Sequence, residues 1–408
     1  MDKQLSDASG YSFAAPMTSI RAINRARIIS LIRRRPGVTR ADLSRLSGLS
    51  KGTVSNHVAE LLDKGFLHQD HQHDKRRRKT GLWVNRNAGF AIGIELSPEE
   101  CRGVLTDAGI SPLKRVRRRL DSTSVEETIG VLGSITTELL SDVAGQCLGL
   151  VIGVPGPTDA RGQTLVFSES LGWSDVSLVQ RLTERLPYSV TLINRARAGV
   201  LGERWHGAGV DVDELIYVSI SSGIAAGILI GDQLFTGAYN YNGELGHTTI
   251  LIDGPECVCG NRGCLETVAS MPAIIHSIQT RLRNGERSTL RNVLNETAQL
   301  TYYDVIAAAR DGDAVVVDEI RKASRYVGVA VANLIDLFNP RLVIIGGQLA
   351  EAGEIVVNTV REIAQRRAFP LSFSDVQIVK NALGADSVCI GACALVVDQY
   401  ITQVKSAL

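Results

Sequence analysis

Cysteine is scarce in this chain of 408 residues: there are seven, an odd number, and three of them fall between positions 257 and 264. A secreted scaffold held by disulfides needs many paired cysteines, so that class is excluded, and clustered thiols point to a metal site in a reducing cytosol. Long apolar runs are missing as well. The longest uncharged stretch, LIYVSISSGIAAGILIG from Leu215 to Gly231, is short for a membrane span. Its three serines and three glycines suit a pair of strands better, so no membrane contact is expected. The opening MDKQLSDASG lacks the apolar core of a secretory leader, and a cytoplasmic protein is expected.

A strong net charge is lacking too, at +1, but the charges are unevenly placed. Residues 1 to 90 carry 17 Lys and Arg against 7 Asp and Glu, while the remainder has an acidic excess of nine. A basic head on an acidic body aims the head alone at an anionic polymer. The length calls for two or three domains.

Residues 1–18 read as a tail and 19–86 as one small domain. From Asn24 the spacing of Ile28, Ile29, Leu31 and Ile32 predicts a helix, which RRPG ends. Thr39-Arg40-Ala41-Asp42 has the form of a capping box opening a second helix, with Leu43 and Leu46 inward. After the turn SGLS, Ser50 can cap a third helix whose Val54, Val58, Leu61 and Leu62 face the core. This is a helix-turn-helix pattern. The third helix points Lys51, Thr53, Ser55 and Asn56 outward, and Arg40 and Ser50 at the helix starts join them as candidates for phosphates and base edges of double-stranded DNA. The segment FLHQDHQHDKRRRKTGLWVN reads as two strands around a basic tip of Lys75, Arg76, Arg77, Arg78 and Lys79. Such a wing would meet backbone phosphate or the minor groove. A solvated three-helix module for protein binding is the blander alternative.

From Ala88 onward, strands alternate with helices predicted at 126–140, 175–186 and 313–337, which gives an α/β architecture. The strand-turn-strand unit near 91 recurs near 216. Two similar lobes with a ligand cleft between them are expected.

The sharpest chemistry is GELGHTTILIDGPECVCGNRGCLE. His247, Cys257, Cys259 and Cys264 make an H-x9-C-x-C-x4-C set. Three thiolates and one imidazole suit a tetrahedral Zn²⁺ with no open position, hence a structural site. Gly260 and Gly263 supply the tight turns that let one loop aim three sulfurs at one ion. Glu244 and Glu266 flank the set, either supporting it or reaching into the cleft.

The motifs GVPGPTDARG, LGW at Leu171–Trp173, NGELGHTTI, CVCGNRGCLE and NPRLVIIGG, with the helix-turn-helix before them, resemble in order and spacing the ROK family of repressors, open reading frames and sugar kinases. The resemblance covers residues 20 to 400. It implies a winged helix-turn-helix followed by a two-lobed, actin-like sugar-kinase fold: one lobe at 88–200 joined by a C-terminal helix at about 388–408, the other at 201–387 with the zinc loop. It implies a homodimer or homotetramer, operator DNA as one partner, and a sugar or sugar derivative as effector. By the same resemblance Asn194, Glu244, His247 and Glu266 bond sugar hydroxyls, His247 using one nitrogen for zinc and the other for the ligand.

The departures from the family kinases concern phosphoryl transfer. The kinases carry N-D-A-N-A, with the Asp as general base. This chain has Asn194-Arg195-Ala196-Arg197-Ala198, and a guanidinium cannot accept a proton. The first phosphate loop, D-x-G-G-T in kinases, is ELSPEE at Glu95–Glu100, whose carboxylates repel phosphates. The second, G-T-G-x-G-G-G, is SSGIAAG at Ser221–Gly227. The asparagine before LGW is Ser170. No ATP binding and no kinase activity are expected. If Arg195 or Arg197 faces the cleft, it pairs with an anionic ligand; on a helix surface, these arginines would pair with carboxylates such as Glu203. The resemblance turns Arg195 to the cleft and leaves Arg197 undecided. The competing readings are an ATP-dependent sugar kinase with an accessory head and an interaction scaffold that never binds DNA.

Overall fold

The computed structural model describes residues 20–71 and 80–403. The chain divides into two compact units, Met1–Asn85 with Ile401–Leu408, and Arg86–Tyr400.

The first unit holds helices Ile20–Arg34, Arg40–Ser47 and Lys51–Asp63, then an antiparallel strand pair, Leu67–His71 and Thr80–Val84. The helix starts form as the side chains dictate. Thr39 Oγ1 accepts from the backbone N–H of Asp42 at 3.2 Å, and Ser50 Oγ accepts from that of Thr53 at 3.1 Å. Each bond satisfies a donor that the first helical turn leaves open. The second helix ends at Gly48, whose φ of 70° is the left-handed turn between the two helices. Ile28, Ile29, Ile32, Leu43, Val54, Val58, Leu61 and Leu82 close the core, while Leu46 and Leu62 are only half-buried. The basic tip from Lys75 to Lys79 lies outside the described residues.

The second unit contains two five-stranded sheets with the same plan. In spatial order the first runs Pro112–Arg119, Glu100–Asp107, Phe90–Leu96, Cys147–Val154, Val190–Asn194. The second runs Gln233–Leu234, Ile224–Ile230, Leu215–Ile220, Leu342–Gly346, Gln377–Lys380. In each, three antiparallel strands are followed by two parallel additions. The repeated strand-turn-strand unit of the sequence is thus the antiparallel core of both sheets. The parallel strands read as continuous apolar runs, CLGLVIGV and LVIIG, because helices cover both faces.

Helices form at Val125–Leu140 and Ala314–Phe338, as the spacing predicts. The helix expected over 175–186 is shorter, Leu178–Thr183, and is preceded by a strand, Trp173–Val176. Trp173 pairs with Ser168 across a two-stranded sheet and donates its indole N–H to Thr123 O at 2.7 Å, which holds the backbone extended there. The C-terminal helix Ser387–Gln403 is apolar enough to pass for a membrane span. It is a core helix instead: Cys389, Ile390, Cys393 and Val397 are buried, and the Cys393 thiol donates to carbonyls of the first sheet at Ala91 and Val104.

Candidate functional site

The strand Val190–Asn194 ends in an asparagine that starts the next helix. Asn194 Oδ1 accepts from the backbone N–H of Ala196 at 2.9 Å, and its Nδ2 donates to Gly156 O at 3.2 Å. One side chain therefore caps the helix Arg195–His206 and ties it to the glycine loop after Cys147–Val154. The strand end and helix start open into a cavity of about 90 Å³. Its walls bring together Asn194, Arg195, Glu244, His247 and Glu266, five residues spread over 73 positions of sequence. The wall is completed from the first sheet's side by Glu169 and Ser170 and from the second's by Ser222.

The cavity is rich in acceptors. Burial raises the Glu244 carboxyl above its ordinary range, with His247 and Arg197 opposing the shift. Burial and the neighbouring Glu266 raise Glu169. Carboxylates this close disfavour further negative charge and suit a ligand that donates many hydrogen bonds.

Arg195 is 7% exposed. It lines this cavity and also a second of about 270 Å³, whose walls include Glu95, Arg102, Tyr217, Gln348 and Lys380. Its Nη2 donates to Ser222 Oγ at 3.1 Å, and its Nη1 stands 3.8 Å from Glu95 Oε1. Glu95 comes from the ELSPEE segment, and burial raises its carboxyl while Arg195 and Arg102 oppose the shift. Arg197 lines neither cavity. It is 4% exposed and bonds Asn240 and Asn242. Pairing with Glu203 does not occur: that fully buried carboxylate accepts instead from the N–H groups of Ala208, Ala382 and Leu383 and from Ser387 Oγ.

His247, Cys257, Cys259 and Cys264 converge, with their ligand atoms all within 4.8 Å of one another. The Cys259 and Cys264 sulfurs are 3.7 Å apart, and Cys257 Sγ is 3.6 Å from His247 Nδ1. These are tetrahedron edges for a metal with bonds of about 2.3 Å to sulfur and about 2.0 Å to nitrogen. The donor set thus fits Zn²⁺ in both chemistry and spacing. The loop demands Gly263: at φ 67° a Cβ there would lie 1.4 Å from Leu251 O. Glu266 Oε1 sits 3.2 Å from His247 Nδ1, so the same carboxylate touches the thiol cluster and the cavity.

In the first unit, Lys51, Ser55 and Asn56 are exposed along one helix, Ser50 is exposed at its cap, and Thr53 and Arg40 are half-buried.

The sequence pattern of the ROK family matches residues 91–399, and that of the MarR family matches residues 21–77. The chain belongs to the ROK family. It is 30% identical over 395 residues to the xylose repressor of Bacillus subtilis strain 168, covering 96% of this chain and 99% of that protein. Among solved structures, a ROK family transcriptional regulator, homolog of the E. coli MLC protein, superposes with a TM-score of 0.78 at 26% identity, covering 94% of this chain and 97% of that one. A ROK family glucokinase from Streptomyces griseus, in complex with glucose and AMPPNP, gives 0.68 at 26% identity over 75% of this chain and 99% of its own. The fold is a winged helix-turn-helix followed by a ROK sugar-kinase fold.

Sequence reasoning missed two contributors. Glu169 reaches the cavity from a loop whose only signal was its place beside Ser170 and LGW. Glu100, read only as part of a damaged phosphate loop, is buried between the two halves of the body. It accepts from Arg102 Nε, Arg117 Nε and Tyr303 Oη, and Arg102 Nη2 donates to Tyr302 Oη at 3.1 Å. Through Glu100 and Arg102 the ELSPEE segment and the strand after it are clasped to the helix Tyr302–Arg310.

Proposed function

We propose that this chain is a cytoplasmic, sugar-responsive transcriptional repressor. In this reading residues 19–86 bind operator DNA. Lys51, Ser55, Asn56 and the run Lys75 to Lys79 contact phosphates and bases, with Arg40, Ser50 and Thr53 at the edges. The lobes 88–200 and 201–387, the first joined by the C-terminal helix from about 388, enclose the effector. The chain acts as a homodimer or homotetramer, so that two heads meet two half-sites. The observation that carries the reading is the convergence of Asn194, Arg195, Glu244, His247 and Glu266 on one cavity, in a chain that begins with a helix-turn-helix.

The effector class follows from the cavity. Asn194, Glu169, Glu244 and Glu266 offer oxygens to hydroxyl donors, and three carboxylates oppose an anion, so a neutral sugar fits best. An anionic derivative is the second reading, favoured by Arg195 alone. Zinc would be held by His247, Cys257, Cys259 and Cys264, where it supplies a rigid crosslink rather than a reactive centre. His247 turns Nδ1 to the thiols, which leaves Nε2 for a ligand hydroxyl.

The chain is not an enzyme in this reading. Supporting this, the resemblance sets Arg195 at the position of the kinases' base and ELSPEE at their first phosphate loop, and Glu95 of that segment stands 3.8 Å from Arg195. A ligand acts by favouring one arrangement of the lobes, which requires unequal affinity for the two arrangements.

Two assays test the reading. The duplex upstream of the chain's own gene should bind with an affinity that falls steeply with salt, since each neutralised phosphate releases counterion. A thermal-shift panel of D-xylose, D-glucose and their phosphates and acids should show stabilisation by a neutral sugar. Stabilisation by phosphates or acids alone would move the assignment to the anionic class. No DNA binding at low salt would leave the scaffold reading standing.

A further inference from the structure

The second arginine of the Asn194–Ala198 segment is a buried cation with no carboxylate in direct contact, although the charge of Glu244 acts on it from farther off. Arg197 is 4% exposed, and among the described residues no carboxylate lies within 4.0 Å of it. Its guanidinium is spent on neutral oxygens. Nη1 donates to Asn240 Oδ1 at 2.5 Å. Nη2 donates to Asn240 O at 2.7 Å and to Asn242 Oδ1 at 2.6 Å, with Asn242 O at 3.2 Å. Nε is buried and has no acceptor. A side chain selected for stability alone is a poor fit to this place, since burying a cation among amides is costly and apolar packing does better.

What the fan of bonds does achieve is geometric. It gathers a turn in which Asn240 takes a left-handed φ of 64°, four residues before Glu244, which opens the short 3-10 helix Leu245–His247 and, with His247, lines the cavity. Asn240 continues the line outward: its Nδ2 donates to Asp159 O at 3.2 Å, and to Thr158 O at 3.4 Å, directly after the cavity-lining residues Pro155–Pro157. Asn242 Nδ2 donates to Phe235 O at 2.7 Å and closes the turn on itself. One guanidinium, fixed on the helix that Asn194 caps, is thus bonded to the turn before Glu244 and, through Asn240, to the residues after Pro157.

We propose that Arg197 is the positioning residue of the sugar pocket: through Asn240 and Asn242 it holds the Glu244–His247 segment at the spacing that a sugar's hydroxyls require. This rests on the reading of the cavity as the effector site. It accounts for the pair of arginines with no acid between them. Arg195 faces the cavities, and Arg197 builds the wall.

The test uses the full-length protein with Arg197→Met and, from the other side of the contact, Asn240→Ala. Hydrogen exchange is measured across the chain, with D-xylose and D-glucose titrations by calorimetry, zinc content, and DNA affinity without sugar. Amides of 240–247 should exchange at least tenfold faster in both variants, with the remainder of the body, the zinc stoichiometry and the sugar-free DNA affinity unchanged. The Kd for whichever sugar the unaltered protein binds should rise at least tenfold, and Arg197→Lys, which keeps the charge but not the fork, should recover little of it. Unchanged exchange at 240–247 overturns the proposal whether or not either sugar binds. Binding of a sugar with equal affinity by Arg197→Met and the unaltered protein overturns it too. If the unaltered protein binds no sugar of the panel, the effector reading fails instead, and the exchange result still decides whether Arg197 holds the segment.

Discussion

Arg195 and Arg197 stand two positions apart on one helix, about 200° around it, and do unrelated work. Arg195 sits at the wall shared by two cavities, 3.8 Å from Glu95. On the proposed non-enzymatic reading, placing an acid there should not confer kinase activity, because the neighbouring segment carries the buried Glu95 and the clasp residue Glu100. Arg195→Asp should show no sustained sugar-dependent ATP turnover in a coupled assay, and measurable turnover would mean that the altered loops still bind nucleotide. The cysteines allow a second prediction. Cys259 is exposed, so its replacement disturbs packing little, yet it is one of the four side chains whose ligand atoms could hold a metal. Cys259→Ser should lose bound zinc by metal analysis and weaken sugar binding about tenfold or more, since the loop also carries Glu266. The structure brings together Asn194, Glu244, His247, Glu266 and the three clustered thiols, and that these deserved to be singled out was legible in the sequence. The partners of Arg197 were not, because Asn240 lies 43 positions away and arrives on a loop with no periodicity.

At the scale of elements, caps and apolar spacing carried most of what could be read. Thr39, Ser50 and Asp313 each cap a helix through side-chain oxygens, and the first two were visible as Thr-x-x-Asp and as a serine before a polar-apolar run. Ser50→Ala should cost the head about 1 kcal/mol in denaturant unfolding, the usual worth of such a cap. The segment 175–186 misled because Val176, Val179 and Leu182 satisfy a helical spacing, while the strand Trp173–Val176 is held in part by the Trp173 indole bond to Thr123, 50 positions away, which no local pattern encodes. The clasp at Glu100 was invisible for the same reason: Tyr303 lies 203 positions away. Bonds from Tyr303, Arg102 and Arg117 outweigh burial and hold the Glu100 carboxyl below its ordinary range. A carboxylate depressed in the folded state contributes its stability fully above the unfolded value of about 4.3, and that contribution disappears as pH falls through the depressed folded value. Glu100→Gln should therefore lower the melting temperature at pH 7, and the gap from the unaltered protein should close as pH drops below about 4. A gap that persists undiminished in acid would show that the clasp is held by packing and not by charge.

Over the whole molecule, the charge asymmetry foreshadowed the division of labour. The basic excess lies in the segment that folds as a winged helix-turn-helix, and the acidic excess lies in the body with its acceptor-lined cavity. The two matching sheets were legible as a repeated strand-turn-strand unit, but the cavity between their strand ends was legible only as a general expectation for such folds. Lys51 belongs to this scale, because its effect is electrostatic. Lys51→Ala should weaken binding to all duplexes alike and reduce the slope of log affinity against log salt by about one. Linkage adds a constraint: a sugar that weakens DNA binding must itself bind more weakly, by the same factor, when DNA is present.

The most direct measurement is the affinity of the full-length protein for the duplex upstream of its own gene, by fluorescence anisotropy at one fixed salt concentration, without and with a sugar shown by calorimetry to saturate the protein. The account predicts tight binding without sugar and a Kd at least tenfold higher with it. Equal DNA affinity with the cavity saturated would contradict it.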